Sequence, residues 1–195
     1  MEAARQLFFQ QGYGATGIAQ ILKDSQSNSG SLYHFFPTKE DLLIAVLELY
    51  KTMLQTHVIG PAYERVDDPI ERIFAVLDGY RRLLEATHFA LGCPIGNLAL
   101  EISNSHPLAR RYVVENFENW RAAIRQLVEE ASGRLPTEIN AEDLSRFVLA
   151  TMEGAVMLAR AYQSFEPFDG AIQQLREHFE LLVKSGTDWV SPKTV

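Results

Sequence analysis

Apolar residues recur along this chain at i, i+3, i+4 and i+7, with no stretch of strict alternation, so the pattern predicts helices from end to end and no strand. Two very short helices carry the most information. Behind Thr16, the residues Ile18, Ala19, Ile21 and Leu22 make one apolar face, and the Thr16 hydroxyl is placed to accept a backbone N–H at the helix start. After the polar link Asp24-Ser25-Gln26-Ser27 a second helix opens at Asn28 and must end by Phe36, because Pro37 disfavours helical geometry in the residue before it. On it Leu32, Phe35 and Phe36 face one way, and Gly30, Ser31, Tyr33 and His34 the other. Neither helix is long enough to be stable alone, so both must rest on neighbours. The free side of the second offers small, hydrogen-bonding and aromatic groups without a long acidic side chain. Two such helices at an angle are the layout of a helix-turn-helix whose second helix enters the DNA major groove.

The rest of the chain continues the helical pattern. Thr38 and Asp41 predict a capping box before the stripe Leu42, Leu43, Val46, Leu47, Tyr50, Met53, Leu54, which Gly60-Pro61 is expected to break. Asp68-Pro69, Cys93-Pro94 and Pro107 each open a further helix, since proline suits the first helical position. Asn140 caps a strongly apolar helix, and residues 168–184 form the last. The expected architecture is all-α with about nine helices: a helix-turn-helix domain over residues 1–55, and a larger helical domain over 56–195.

The run from Gly12 through Thr16 to Gln20-Ile21, followed by G-S-L-Y-H-F-F-P-T-K-E-D-L at Gly30 to Leu42, resembles the DNA-binding domain of TetR-type transcriptional regulators. By position, the resemblance implies DNA contacts from Thr16, Gly17, Asn28, Ser29, Gly30, Ser31, Tyr33, His34 and Lys39. The sequence departs from the family at Ser25-Gln26-Ser27, where Ala-Gly-Val is usual, at Ser29, where lysine is frequent, and at Gly17, where a hydroxyl is common. The resemblance further implies a dimer on operator DNA with a small-molecule effector, most often acting as a repressor, and the lack of a basic-then-apolar leader or a membrane-length apolar segment leads to the expectation of a cytoplasmic home. The segment E-G-A-x-x-L-A at Glu153 to Ala159 looks like the family's dimerisation helix, which puts Gly154, Ala155 and Leu158 at an interface with Leu175 and Phe179 of the last helix. Core and obligate interface share a composition, so the pattern alone leaves both open. The effector pocket is expected among the middle helices, from Phe89, Cys93, Asn97, Phe117, Trp120, Phe147, Met152 and Tyr162.

Charge changes the picture in one respect. Through Lys51 the basic residues are Arg5, Lys23, Lys39 and Lys51, against Glu2, Asp24, Glu40, Asp41 and Glu48. A slightly acidic head binds random DNA poorly and depends on a paired, correctly spaced site. The formal net charge of −7 also argues against a broad polyanion-binding surface. No segment is expected to be long and apolar enough to cross a membrane. The single cysteine, Cys93, rules out an internal disulfide framework, and His34, His57, His88, His106 and His178 show no metal-ligand spacing. No cofactor or metal is expected.

Three further readings stay open. Asp67-Asp68-x-x-Glu71 resembles the aspartate-rich magnesium motif of all-α isoprenoid synthases, although Asp68-Pro69 also reads as a helix cap. A TetR-fold interaction protein without DNA binding fits the acidic head. Cys93 is either a packing residue or, at a helix N-cap where partial positive charge lowers a thiol's pKa, a reactive sensor. The second option is strengthened by Gly92, Cys93, Asn97 and Glu101, which resemble a TetR branch whose members sense electrophiles or oxidants.

Overall fold

Side-chain caps and prolines punctuate the chain largely where the sequence places them. In the computed structural model, which describes residues 1–187, nine helices follow one another: α1 (Glu2–Gln11), α2 (Ile18–Asp24), α3 (Ser29–Phe35), α4 (Lys39–Arg65), α5 (Pro69–Ala86), α6 (Pro94–Ile102), α7 (Pro107–Glu130), α8 (Ala141–Tyr162) and α9 (Glu166–Thr187). Asn28 Oδ1 accepts from Ser31 N at 2.8 Å, and Thr38 and Asp41 form the reciprocal capping box. Asp68 and Asn140 cap α5 and α8 in the same way. No strand occurs among the described residues.

α4 does not break at Gly60-Pro61. It is α-helical over Lys39–Met53, widens to a π-helix over Leu54–Ile59, and resumes over Gly60–Arg65. Proline inside a helix lacks one donor and crowds the carbonyl four residues back. The widened turn, in which Gly60 N–H reaches Gln55 O, relieves that crowding. At 27 residues, with an 18-residue stretch of mean hydropathy 1.3, α4 is long and apolar enough to cross a membrane, contrary to the sequence expectation. Its apolar side chains are spent otherwise, packing on α1, α5 and α7. The expected boundary at 55/56 falls inside this helix, so head and body share one rod.

α7 is the axis of the body, in contact with α4, α5, α6 and α8, while α8 and α9 pair as a hairpin on its flank. One continuous core runs from Ala4, Leu7 and Phe8 of α1 to Leu175 and Phe179 of α9. Buried Asn116 on α7 donates to Leu47 O at 3.0 Å and Tyr112 O at 2.8 Å, pinning α4 to the axis.

Candidate DNA-reading head and effector cavity

α2 rests on the core through Ile21, while Ala19 is exposed. Its N-cap is Gly17, not Thr16. Thr16 is only 1% exposed, and its hydroxyl donates to Gly12 O at 2.6 Å and accepts from Gln11 Nε2 at 3.3 Å. The residue knits the α1–α2 loop together and has no free face for a phosphate. The turn into α3 is a Schellman closure: Ser27 N–H returns to Leu22 O, and Gln26 takes the left-handed φ of 52°.

α3 has no fully buried residue. Leu32 and Phe36 pack on the core, whereas Phe35, expected beside them, is 69% exposed with its ring edge-on to His34. Residues 32 and 36 lie four apart and form the only stripe a seven-residue helix needs. Ser29, Gly30, Ser31, Tyr33 and His34 are all exposed, forming a continuous surface with Asn28 at its start and Gly17 nearby in sequence. Lys39 turns away from that surface. Its Nζ donates to Tyr13 O at 2.5 Å and sits 4.1 Å above the Tyr13 ring, and burial holds the amine below its ordinary value, with Glu101 pulling the other way. The phosphate contact expected of Lys39 gives way to an internal tie.

Tyr13, which sequence reasoning overlooked, is the hub of the head. It packs on Phe8 and on His106 with ring centroids 5.3 and 5.0 Å apart. Its N–H donates to Glu101 Oε2 at 2.8 Å, and Gly14 N–H donates to Glu101 Oε1 at 2.5 Å. A side chain at Gly12, where φ is +86°, would bring a Cβ to 2.9 Å from this carboxylate. Glu101 thus clamps the head from the far end of α6.

The near end of α6 opens on a cavity of about 300 Å³ bounded by α1, α4, α5, α7 and α8. Of the eight expected effector residues, Cys93, Phe117, Trp120 and Met152 line it. Phe89 instead packs at a tilt against Phe165 with centroids 4.7 Å apart, and Asn97 accepts from Arg160 Nη1 at 2.7 Å. Phe147 and Tyr162 point outward, Tyr162 being 71% exposed. Tyr50, Tyr80 and Glu153 also face the cavity, as do Arg5 and Phe9 of the head itself. Burial lifts Tyr50 to about 12, partly opposed by Arg5, and lifts Glu153 above its ordinary value, partly opposed by Cys93.

Cys93 is the α6 N-cap, its Sγ accepting from Gly96 N–H at 3.5 Å. The thiol is nevertheless not activated. Burial, and then Glu153, push it well above its ordinary value, outweighing the helix-terminal hydrogen bonds that act in the opposite direction. Cys93, Asn97 and Glu101 lie at i, i+4 and i+8 on α6, one face of a single helix. They touch in turn the cavity, Arg160 of α8, and the head.

The α8–α9 hairpin leaves an apolar outer face. Phe147, Met157, Leu158 and Tyr162 on α8 and Leu181 on α9 are exposed, and a Cβ built on Gly154 meets no atom of the described residues within 4 Å. Leu175 and Phe179, each 1% exposed, and Ala155, 2% exposed, belong to the inner core of one chain instead. Elsewhere, Asp68 caps α5 and pairs with Arg134, and Glu71 binds Arg176 at 2.7 Å, so these carboxylates serve packing. Among the described residues no three His, Cys, Asp or Glu side chains converge as a metal site.

Residues 69–175 match the family described as tetracyclin repressor-like, C-terminal domain, and residues 1–46 match bacterial regulatory proteins of the tetR family. The chain belongs to the TetR family of transcriptional regulators. The uncharacterized HTH-type transcriptional regulator YxaF of Bacillus subtilis is 33% identical over 161 residues, 82% of each chain. The HTH-type transcriptional repressor DhaR of Mycobacterium sp. strain GP1 is 26% identical over 187 residues, covering 95% of this chain and 91% of its own. The crystal structure of regulatory protein TetR from Rhodobacter sphaeroides has the same fold, with a TM-score of 0.82 at 24% identity, over 91% of this chain and 95% of that one. As a TetR-family protein the chain is a helix-turn-helix, DNA-binding regulator of transcription.

Proposed function

We propose that this TetR-family regulator is a cytoplasmic, homodimeric repressor that holds a near-palindromic operator and releases it when a small molecule fills the cavity. The observation that carries this reading is α6, whose one end caps at the cavity wall through Cys93 and whose other end grips the head through Glu101. An occupant that displaces the first turn of α6 moves the α1–α2 loop with it, and so moves α3. Base contacts are assigned to Ser29, Gly30, Ser31, Tyr33 and His34, and phosphate contacts to Asn28 and the Gly17 backbone at the helix starts. Thr16 and Lys39 support them from behind.

Dimerisation is assigned to Phe147, Gly154, Leu158, Tyr162 and Leu181. Glycine inside a helix costs roughly 1 kcal/mol relative to alanine. At Gly154 no atom of the described residues comes within 4 Å of a built Cβ, so packing inside the chain does not call for glycine there, whereas close approach of a second α8 does. A two-fold dimer presents two equivalent heads, which is why the operator is expected to be a near-palindrome.

The test is to capture genomic fragments on the purified protein and sequence them. A shared two-fold motif located in promoters supports the reading. Fragments without a shared motif, or protection of a single asymmetric site by one chain, overturn it.

A further inference from the structure

Three polar atoms on the cavity wall are buried without a hydrogen-bond partner: Trp120 Nε1, Tyr50 Oη and Glu153 Oε1. Trp120 and Tyr50 are each more than nine-tenths buried. Buried polar groups in folded proteins are almost always paired, so three orphans facing one space mark that space as built for an occupant. Tyr80 lies near Trp120, Arg5 near Tyr50 and Cys93 near Glu153, but none closes a bond of normal geometry to these atoms, and Arg5 is held by Glu2, Nε to Oε2 at 2.9 Å. The remaining wall is apolar, with Leu83, Phe117, Leu149 and Met152.

The chemistry of the orphans is specific. An indole N–H can only donate, and a phenol readily does. The Glu153 carboxyl oxygen accepts, and burial raises the group above its ordinary value. Arg5, the guanidinium on the wall, is already paired with Glu2, so an anionic ligand finds no unpaired arginine or lysine among the lining residues, and a cation leaves Trp120 and Tyr50 unmet. The volume of about 300 Å³ equals roughly ten water molecules at ~30 Å³ each.

We propose that the cavity binds an uncharged, largely apolar ring compound of roughly ten to fifteen non-hydrogen atoms, whose carbonyl accepts from Trp120 and Tyr50 and whose hydroxyl or N–H meets Glu153. This rests on the reading of the cavity as the effector site.

The test is calorimetric titration of the full chain at neutral pH with four probes of similar size: 4-hydroxyacetophenone, 4-ethylphenol, 4-hydroxybenzoate and benzyltrimethylammonium. The first should bind about tenfold tighter than 4-ethylphenol, which lacks only the carbonyl, and the two charged probes should bind more weakly still. Trp120→Phe and Tyr50→Phe should each cut the carbonyl preference by roughly three- to tenfold while leaving 4-ethylphenol within about twofold. Leu149→Trp, or Leu83→Phe if the former melts early, should fill the cavity and abolish binding. Binding that survives a filled cavity lies elsewhere, and the effector-site reading itself falls. Binding that a filled cavity abolishes, but that prefers the cation or keeps its carbonyl preference in both phenylalanine variants, overturns the chemistry and spares the cavity. No heat from 4-hydroxyacetophenone at millimolar concentration, from protein with a native melting transition, overturns the proposal as well.

Discussion

Replacing Glu101 by glutamine removes one charge and leaves the side chain's length unchanged, which makes it a clean perturbation of the clamp between α6 and the head. The carboxylate accepts two backbone N–H bonds, from Tyr13 and Gly14, at 2.8 and 2.5 Å. A glutamine oxygen can keep one of them, but its NH₂ then faces the other donor. Hydrogen bonds to charged groups contribute about 1.5–3 kcal/mol when buried, and Glu101 is exposed, so roughly 0.5–1 kcal/mol per bond is the appropriate scale. Losing the pair removes about 1–2 kcal/mol of pre-orientation, which weakens operator binding about 5- to 30-fold. Simple electrostatics predicts the opposite sign, since deleting a negative charge near DNA strengthens association. Fluorescence anisotropy with the captured operator and with a scrambled duplex of equal length separates the two effects: Glu101→Gln should lose operator affinity and hold or gain on the scrambled duplex. Faster amide exchange at Tyr13 and Gly14 would verify that the clamp is broken. Unchanged or tighter operator binding with those amides exchanging faster would falsify the clamp's role.

Gln26→Gly should stabilise the chain by about 1 kcal/mol in urea unfolding, because a left-handed φ penalises every residue with a Cβ; destabilisation would mean that the Gln26 side chain has a compensating contact. Lys39→Ala should lower thermal stability through loss of its Tyr13 contacts yet change the salt slope of operator binding by well under one unit, whereas a drop of about one would return Lys39 to the phosphate backbone. In sedimentation, Leu158→Arg should give folded monomer, while Ala155→Arg should collapse the fold because that position is inside one chain; a folded dimer from Leu158→Arg would move the interface elsewhere. Since burial raises Glu153 above its ordinary 4.5, the folded state binds its proton more tightly than the unfolded state, and this contribution to stability is complete below that value and lost as pH rises through the folded one. Melting temperature should therefore fall with pH across that window more in wild type than in Glu153→Gln, and parallel profiles would refute a buried, proton-retaining carboxyl.

Local chemistry was readable from sequence and long-range chemistry was not. Asn28, Thr38 with Asp41, Asp68, Cys93 and Asn140 cap the helices expected of them, because a cap is a contact between residues two or three apart. Gly60-Pro61 was misleading because a single widened turn absorbs the proline without ending the helix. Leu175, Phe179 and Ala155 were drawn toward the interface, and Phe147 and Tyr162 toward the pocket, for one reason. A helix with two apolar sides does not announce which of them faces its own core. The thiol of Cys93 sits at the N-cap as its proline predicts, but its reactivity is set by burial and by Glu153, sixty residues away. The Glu101 clamp spans 88 positions and has no local trace.

Gly96 lies outside the cavity wall, yet it governs one group on that wall. A Cβ there would collide with the Glu153 carboxyl, so the acid can hold its place beside Cys93 only while position 96 is bare. One methyl at position 96 would evict the carboxyl and change the hydrogen-bonding character of the chamber, with every lining residue still present. If the cavity is the effector site proposed above, a lineage carrying this scaffold can exchange one inducer for another through a residue that touches neither, and pocket-lining identity alone is a poor guide to whether two such proteins answer the same signal.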